Sequence, residues 1–187
     1  ADILTNSDSI TLSIEGNTNA DLVKASLVDN KLILNYAENQ NGTANITIRA
    51  TDENGAIVED TFTVTVNAVN DTPTLENAIA DITVNEDAKP TTIDLTGVFA
   101  DADILTNADS ITLSIEGNTN SDLVTASLVN NKLTLSYAEN QNGIANITIR
   151  ATDENGAIVE DTFTVTVNAV NDTPTLENAI ADITVNE

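Results

Sequence analysis

The sequence contains no cysteine, histidine, methionine or tryptophan. Without histidine and cysteine, the chain cannot build a Ser-His-Asp or Cys-His catalytic site, and it lacks the nitrogen and sulfur ligands that zinc prefers. The absence of cysteine also excludes a disulfide framework. Oxygen ligands remain, and these suit Ca²⁺ or Mg²⁺.

Positive charge and aromatic side chains are scarce. Six Lys and Arg residues face 30 Asp and Glu residues, which gives a formal net charge of −24. Nucleic acids and anionic membranes attract basic surfaces, so we expect no nucleic-acid partner, and no apolar run is long enough for direct membrane insertion. Paired carboxylates could in principle hydrolyse glycosides, but aromatics make up 3% of the chain and leave little for a sugar platform. We therefore predict that the protein is not an enzyme.

What the sequence does contain is a long internal repeat. Residues 1–86 align with residues 102–187 without a gap and differ at only seven positions. The motif Asn-Asp-Thr-Pro ends at Pro73 and again at Pro174 and reads as a linker, because proline cannot join a central strand. We therefore expect an incomplete repeat at 1–72 that lacks its first strands, a complete repeat at 73–173, and the first strand of a third repeat at 174–187.

Hydrophobic residues alternate with polar ones throughout the complete repeat, which indicates strands and no helix. The residues Asn130 and Asn131 stand between two such runs and predict a two-residue hairpin turn. Seven strands in about 100 residues are typical of a β-sandwich. The predicted fold is all-β, with tandem seven-stranded Greek-key sandwiches joined end to end. The predicted strands centre on 82–84, 93–95, 111–115, 124–128, 133–137, 147–151 and 163–167.

The segments between these strands are acidic. They read VNED at Val84–Asp87, FADAD at Phe99–Asp103, AENQNG at Ala138–Gly143 and TDENG at Thr152–Gly156. Because loops gather at the two ends of a sandwich, these segments and the linker form candidate cages of oxygen ligands. Taken singly, TDENG is more typical of a turn with Asx-type hydrogen bonds. Four other acidic residues are interpreted as solvated surface charges, namely Asp109, Asp122, Glu160 and Asp161.

The order of these motifs resembles the cadherin repeat, and more closely the cadherin-like repeats of giant bacterial surface adhesins. The resemblance covers 73–173 and recurs in 1–72. It implies a seven-stranded sandwich with Ca²⁺ at the junctions between repeats. The linker is shorter than in animal cadherins, and their fuller D-R-E segment is absent.

The resemblance also implies the metal ligands. At the first junction they are Glu38, Asn70, Asp71, Asp101, Asp103 and Asp153. At the second they are Glu86, Glu139, Asn171 and Asp172. Asp2 and Asp52 are the equivalents of Asp103 and Asp153 in the first copy.

The predicted function is a calcium-rigidified extender repeat of a secreted bacterial adhesin or surface filament, acting in cell adhesion or biofilm formation. Its partners are neighbouring repeats of the same chain or filament, with a host or matrix ligand contacted by domains outside this sequence. The expected location is extracellular, at the bacterial surface or secreted. A calcium-dependent module that binds carbohydrate or protein is the alternative. Strand addition from the 174–187 segment of another molecule is a further one, although this segment does not supply the strand at 91–95.

Overall fold

The computed structural model describes residues 9–106 and 109–187. About half of these residues lie in β-strands, which make up nearly all of the regular secondary structure. A single-turn 3-10 helix at Ala102–Ile104 follows β9. No helix in the described ranges is long and apolar enough to span a membrane. The strands are β1 Thr11–Asn17, β2 Val23–Val28, β3 Lys31–Tyr36, β4 Gly42–Thr51, β5 Ile57–Val66, β6 Thr74–Leu75, β7 Ile82–Asn85, β8 Thr91–Asp94, β9 Phe99–Ala100, β10 Thr112–Asn118, β11 Val124–Val129, β12 Lys132–Tyr137, β13 Gly143–Thr152 and β14 Ile158–Asn168.

Contacts divide the chain into two compact units. Unit 1 is drawn from Ala1–Glu76, Phe99–Thr112 and Ala151–Val159, and unit 2 from Asn77–Val98, Leu113–Arg150 and Glu160–Glu187. These ranges do not coincide with the repeat boundaries expected at 73 and 174, which stay a prediction. The reason is that two loops of the second copy contact the linker that follows the first copy.

Unit 1 contains the short antiparallel pair β6-β9 and two larger sheets with a shared core. One has the strand order β1-β4-β5 and the other pairs β2 with β3, all antiparallel. The core contains Val23 from β2 and Ile46 from β4, both fully buried, with Leu34 and Phe62 packed against them. Burial of these apolar faces stabilises the pair of sheets as a sandwich.

In the second copy the equivalent sheets gain strands. The sheet order is β10-β13-β14-β7, and a second sheet has the order β11-β12-β8. Strand β7 pairs in parallel with β14, with Ile82 opposite Val165 and Asn85 opposite Asn168. The all-β sandwich predicted from the alternating pattern is confirmed, and each of the seven predicted strands is present.

The two-residue turn at Asn130 and Asn131 is also confirmed. Both residues have positive φ angles, 50° and 59°. Such angles define the type I′ turn, whose twist matches that of the flanking strands, and asparagine tolerates them better than most residues. The turn sets the register in which Val129 faces Lys132.

Residues 174–187 form no strand in the structure and are exposed. Their sequence equals that of residues 73–86, which contain β6 and β7. Those strands are ordered by pairing with β9 and β14. The strand expected at 174–187 therefore stays a prediction that depends on a partner strand.

Candidate metal centre

Three carboxylates of unit 1 meet in one place. Asp101, Asp103 and Asp109 each present an oxygen atom, and these atoms lie within 4.8 Å of one another. Asp101 and Asp103 are buried, and Asp109 is half-buried. Among the described residues this is the one such acidic group. We refer to these three residues as the acidic cluster.

The loop that follows β9 positions two members of the cluster. Asp101 caps the 3-10 helix, because its Oδ1 accepts a hydrogen bond of 2.7 Å from the backbone N–H of Asp103. This bond turns the chain so that both carboxylates lie on the same side of the loop. The tight D-x-D spacing of the sequence is therefore an Asx-type turn that brings two negative charges together.

Asp109 closes the same loop just before β10. Its backbone N–H donates to the carbonyl of Asp103 at 3.4 Å. Its Oδ1 accepts from the N–H groups of Ser110 and Glu154, at 2.6 and 3.1 Å. The interpretation of Asp109 as a solvated surface charge is therefore wrong, because the loop folds back and brings this carboxylate to Asp103. No sequence pattern distinguished Asp109, because only the conformation of this loop brings its carboxylate to Asp103.

The linker of the first copy contacts this group directly. The backbone N–H of Asp71 donates to Oδ2 of Asp103 at 2.7 Å. The side chain of Asn70 donates to Oδ2 of Asp153 at 2.8 Å, and its own Oδ1 accepts a very short hydrogen bond from Asn155. The predicted residues Asn70, Asp71, Asp101, Asp103 and Asp153 are therefore brought together.

Asp153 has two structural roles. Its Oδ1 accepts from the N–H of Ala157 at 2.7 Å, and its carbonyl accepts from Gly156. The turn interpretation of TDENG is therefore confirmed, while Oδ2 still reaches the linker. Asp52, its equivalent in the first copy, forms the same turn through Asn54 and Ala56. Asp2 lies outside the described residues.

Glu38 is placed differently from the other predicted ligands of this junction. Glu38 is exposed to solvent. The next residue, Asn39, lines a surface depression together with Asp71 and Asp103. The turn that carries Glu38 therefore borders the acidic cluster, but the Glu38 side chain is not part of it.

The electrostatics of the cluster are unfavourable for Asp101 as an anion. Burial raises the pKa of its carboxyl group, and the charges of Asp109, Asp103 and Asp153 raise it further. The hydrogen bond from the Asp103 N–H opposes this rise. In the opposite direction, the hydrogen bond from Asn70 lowers the pKa of Asp153 despite its burial.

Two buried oxygens of the cluster have no hydrogen-bond partner among the described residues. They are Oδ2 of Asp101 and Oδ2 of Asp109. Buried polar atoms are seldom left unpaired in folded proteins, and a buried carboxylate oxygen needs a donor or a cation. An oxygen-only donor set with unpaired carboxylate oxygens fits a hard divalent cation such as Ca²⁺.

The arginines of the described chain neutralise other carboxylates. Arg49 forms ion pairs with Glu15 and Glu59, at 2.9 and 2.6 Å. Arg150 forms the equivalent pairs with Glu116 and Glu160. The surface role expected for Glu160 is confirmed, and Asp122 is also exposed. These pairs lie on strand faces, so the arginines do not compensate the acidic cluster.

The second predicted set, in unit 2, does not form an equivalent cluster. Glu86 is buried and its Oε1 accepts a short hydrogen bond from the N–H of Val170. Glu139, Asn171 and Asp172 are exposed, and the Asn171 side chain donates to the carbonyl of Asp172 as Asn70 does to Asp71. The prediction for the second junction also requires the equivalents of Asp101, Asp103 and Asp153 in a third copy of the repeat. These positions would lie after residue 187.

One acidic residue expected at the surface has a structural contact. Oδ2 of Asp161 accepts from the N–H of Ile79 at 2.6 Å, so this half-buried residue anchors the segment before β7. The solvated interpretation of Asp161 is therefore wrong. Asp94 is exposed, as expected, and accepts from Thr96, which lowers the pKa of its carboxyl group.

Comparison with known proteins places the fold. No sequence family matches the chain, and no curated protein matches it. Solved structures do match. The extracellular domain of protocadherin gamma-B4 aligns with a TM-score of 0.53 and 20% identity, over 85% of this chain and 27% of that one. Domains EC22-24 of mouse cadherin-23 align with a TM-score of 0.52 and 19% identity, over 86% and 53%.

A third structure gives the same result. Domains 1-4 of protocadherin gamma-B7 align with a TM-score of 0.51 and 17% identity, over 88% of this chain and 42% of that chain. The chain thus spans about a quarter to a half of the length of these structures. The fold is cadherin-like. The expectation that the protein is not an enzyme is consistent with this fold.

Proposed function

We propose that the acidic cluster binds Ca²⁺ and that the chain is a calcium-stiffened repeat of an extracellular adhesion protein. The observation that supports this most directly is the buried, unpaired Oδ2 of Asp101 beside two further carboxylates. A divalent cation there would offset the mutual repulsion of the carboxylates and supply the missing partner.

The residues that would hold the ion are Asp101, Asp103 and Asp109, with Asp153 and the Asn70–Asp71 segment around them. Ca²⁺ accepts six to eight oxygen ligands in flexible geometry, whereas Mg²⁺ demands a small octahedron. Several carboxylates from different loop segments suit the larger ion better.

The groups around the proposed site come from two copies of the repeat, and this suggests a role for the ion. Asn70 and Asp71 follow the first copy, while the loops at 101–109 and 152–157 belong to the second. A cation held by both would restrict the linker between them, so that binding free energy is converted into stiffness of the joint. Near-identical copies in tandem favour such a role in extension.

More specifically, we propose that the chain is an extender of a secreted bacterial adhesin or surface filament. It would be located outside the cell and act in cell adhesion or biofilm formation. Its immediate partners are neighbouring repeats. A host or matrix ligand would be contacted by other domains. The sequence resemblance supports this assignment. The acidic surface is consistent with it, since a net charge of −24 disfavours nucleic acid and anionic membranes as partners.

The proposal is tested by stripping the metal. We expect that adding Ca²⁺ to metal-depleted protein raises the melting temperature and gives a longer, less variable particle in X-ray scattering. The matched variants are Asp101→Asn in the cluster and Asp94→Asn at an exposed position of β8. Only the first should abolish both effects. If calcium changed neither quantity, the proposal would be wrong, and calcium-dependent binding to a glycan array would favour the alternative binding module.

A further inference from the structure

The linker residue Asn70 forms hydrogen bonds with both ends of its side-chain amide. The nitrogen donates to Oδ2 of Asp153 and to the carbonyl of Asp71, each at 2.8 Å. The oxygen accepts from the side chain of Asn155. An ionised carboxylate and a carbonyl accept hydrogen bonds and cannot donate them, so the nitrogen must face these two groups. The partners therefore fix the orientation of the amide.

This orientation separates the role of Asn70 from that of a metal ligand. A ligand for a hard cation must present oxygen. Asn70 presents its nitrogen to the Asp153 carboxylate and its oxygen to Asn155. Asp153 is buried, and a buried carboxylate needs a donor or a cation. The contact that Asn70 makes with this loop is therefore that of a hydrogen-bond donor to a buried anion.

The next linker residue acts in the same way through its backbone. The N–H of Asp71 donates to Oδ2 of Asp103 at 2.7 Å. Two consecutive linker residues thus supply a donor to one carboxylate in each of two loops of the second copy. Once Asn70 is fixed, less chain entropy is lost in forming the Asp71 bond, so each bond stabilises the other. We call these two bonds, from Asn70 to Asp153 and from Asp71 to Asp103, the linker latch.

The linker latch leaves a different pair of carboxylates without a donor. Oδ2 of Asp101 and Oδ2 of Asp109 are buried and have no hydrogen-bond partner among the described residues. A hydrogen bond to an ionised carboxylate stabilises its charge without a cation. The linker therefore already compensates part of the negative charge. The uncompensated part lies at Asp101 and Asp109, where the ion is proposed to bind.

We propose that Asn70 is a positioning residue of the metal centre, which seats the linker against Asp153 and Asp103 by hydrogen bonding before any ion binds and does not itself contact the ion. This inference rests on the proposed binding of Ca²⁺ to the acidic cluster. The apparent affinity of a site falls with the fraction of molecules in which the site is assembled. The linker latch raises that fraction and so strengthens calcium binding, while the stiffness of the joint still comes from the ion.

The first measurement is made without calcium. Hydrogen exchange of the Asp71 amide, followed by NMR in the presence of a chelator, reports the linker latch because this N–H donates to Asp103. Rates are compared with those of unstructured peptides of the same sequence, since a substitution at residue 70 changes the intrinsic rate at its neighbour. We expect the Asp71 amide to be protected in the unchanged chain.

Two substitutions should lower this protection severalfold. Asn70→Ala removes the amide. Asn70→Asp keeps the shape of the side chain but presents only acceptors to Asp153. Melting curves establish that both variants remain folded, as we expect for an exposed residue outside the strands.

The substitution Asn171→Ala is the matched control. Asn171 occupies the same Asn-Asp-Thr-Pro motif, and its side chain donates to the carbonyl of Asp172 as that of Asn70 does to Asp71. The control removes this local bond and leaves both bonds of the linker latch in place. The protection of the Asp71 amide should therefore stay unchanged.

The second measurement is a calorimetric titration with Ca²⁺. Asn70→Ala should weaken calcium binding severalfold, and Asn171→Ala should not. Weaker binding with unchanged protection of the Asp71 amide would make Asn70 a metal ligand and overturn the inference. An unprotected Asp71 amide in the unchanged chain, or lost protection without any loss of affinity, would also overturn it. Failure of the unchanged chain to bind Ca²⁺ would instead contradict the proposed function, because the exchange experiment contains no calcium.

Discussion

At the scale of single residues, the central feature is a carboxylate held where it is unfavourable. Asp101 is 9% exposed, has one unpaired oxygen and lies beside two other acidic side chains. Such an arrangement costs stability in the absence of a cation and supplies ligands in its presence. The ionised Asp101 should therefore lower the stability of the metal-free protein and raise the stability of the calcium-loaded protein.

The substitution Asp101→Asn tests this reversal. Asparagine retains an oxygen for the Asp103 N–H but removes a charge. We expect calcium affinity to fall at least about tenfold, which corresponds to about 1.4 kcal/mol. The thermal stability of metal-free protein should stay equal or rise. Calorimetric titration and melting curves measure the two effects, with Asp94→Asn as control. Loss of metal-free stability with unchanged affinity would indicate a purely structural aspartate.

The pKa of Asp101 predicts a dependence on pH. Burial raises this pKa, so the folded metal-free state binds the proton more readily than the unfolded state. The destabilisation by Asp101 is therefore present at neutral pH and disappears as the pH falls through the raised value. Calcium requires the ionised group, so protons compete with it over the same range. The pKa of Asp153 is lowered, so protonation of this carboxylate affects stability only at lower pH.

We therefore expect the difference in melting temperature between calcium-loaded and metal-depleted protein to shrink as the pH is lowered from about 7 to about 5. Melting curves at constant ionic strength measure it. Asp101→Asn should show a weaker dependence. A difference that stays constant or grows towards low pH would contradict the assignment.

The acidic cluster also shows how far residues could be interpreted from sequence. Asp101, Asp103 and Asp153 could be named because their motifs recur in a known order. Asp109 could not, since only the fold of the loop after β9 brings it to Asp103. Glu38 was expected as a ligand, but its exposed position depends on how the turn at 37–41 is oriented. Sequence pattern thus identifies motifs, whereas loop conformation decides which side chains converge.

At the scale of elements, alternation predicted seven of the nine strands that the structure describes in the complete repeat, and it missed the two-residue strands β6 and β9. The hairpin at Asn130 and Asn131 followed from turn chemistry. The parallel pairing of β7 with β14 did not follow, because period-two patterns identify faces and leave the partner of an edge open. Equal sequences in β5 and β14 with unequal burial show that tertiary partners, and not local sequence, decide which strand becomes core.

Two equivalent phenylalanines provide a matched test of this point. Phe163→Ala should destabilise the second copy by about 3–5 kcal/mol, because a fully buried ring leaves a cavity. Phe62→Ala should cost clearly less, since Phe62 is only half-buried. Urea unfolding at low protein concentration measures both. Equal costs would show that β5 and β14 share the same environment in solution.

The hairpin turn provides a second test at this scale. Asn131 has a φ of 59°, which β-branched residues adopt with strain. We expect Asn131→Val to destabilise the fold by about 1–2 kcal/mol and Asn131→Gly to be neutral or stabilising. Thermal melts of the two variants decide it. A harmless valine would mean that the turn relaxes to another conformation.

At the scale of the whole molecule, the dominant feature is the surplus of negative charge. With 30 acidic and six basic residues, the acidic side chains repel one another. A divalent cation would reduce this repulsion and hold two loops and the linker together. The cadherin-like fold places these three segments close to one another. The proposed stiffness of the joint follows only if the ion is there.

The most direct measurement is a crystal structure of the calcium-soaked chain with anomalous scattering data. We expect a calcium peak bound by oxygens of Asp101, Asp103 and Asp109, at about 2.3–2.6 Å. Asp101→Asn crystals should lose most of that peak. A well-ordered crystal, soaked at saturating calcium, in which these three carboxylates surround only water would contradict the proposed calcium site.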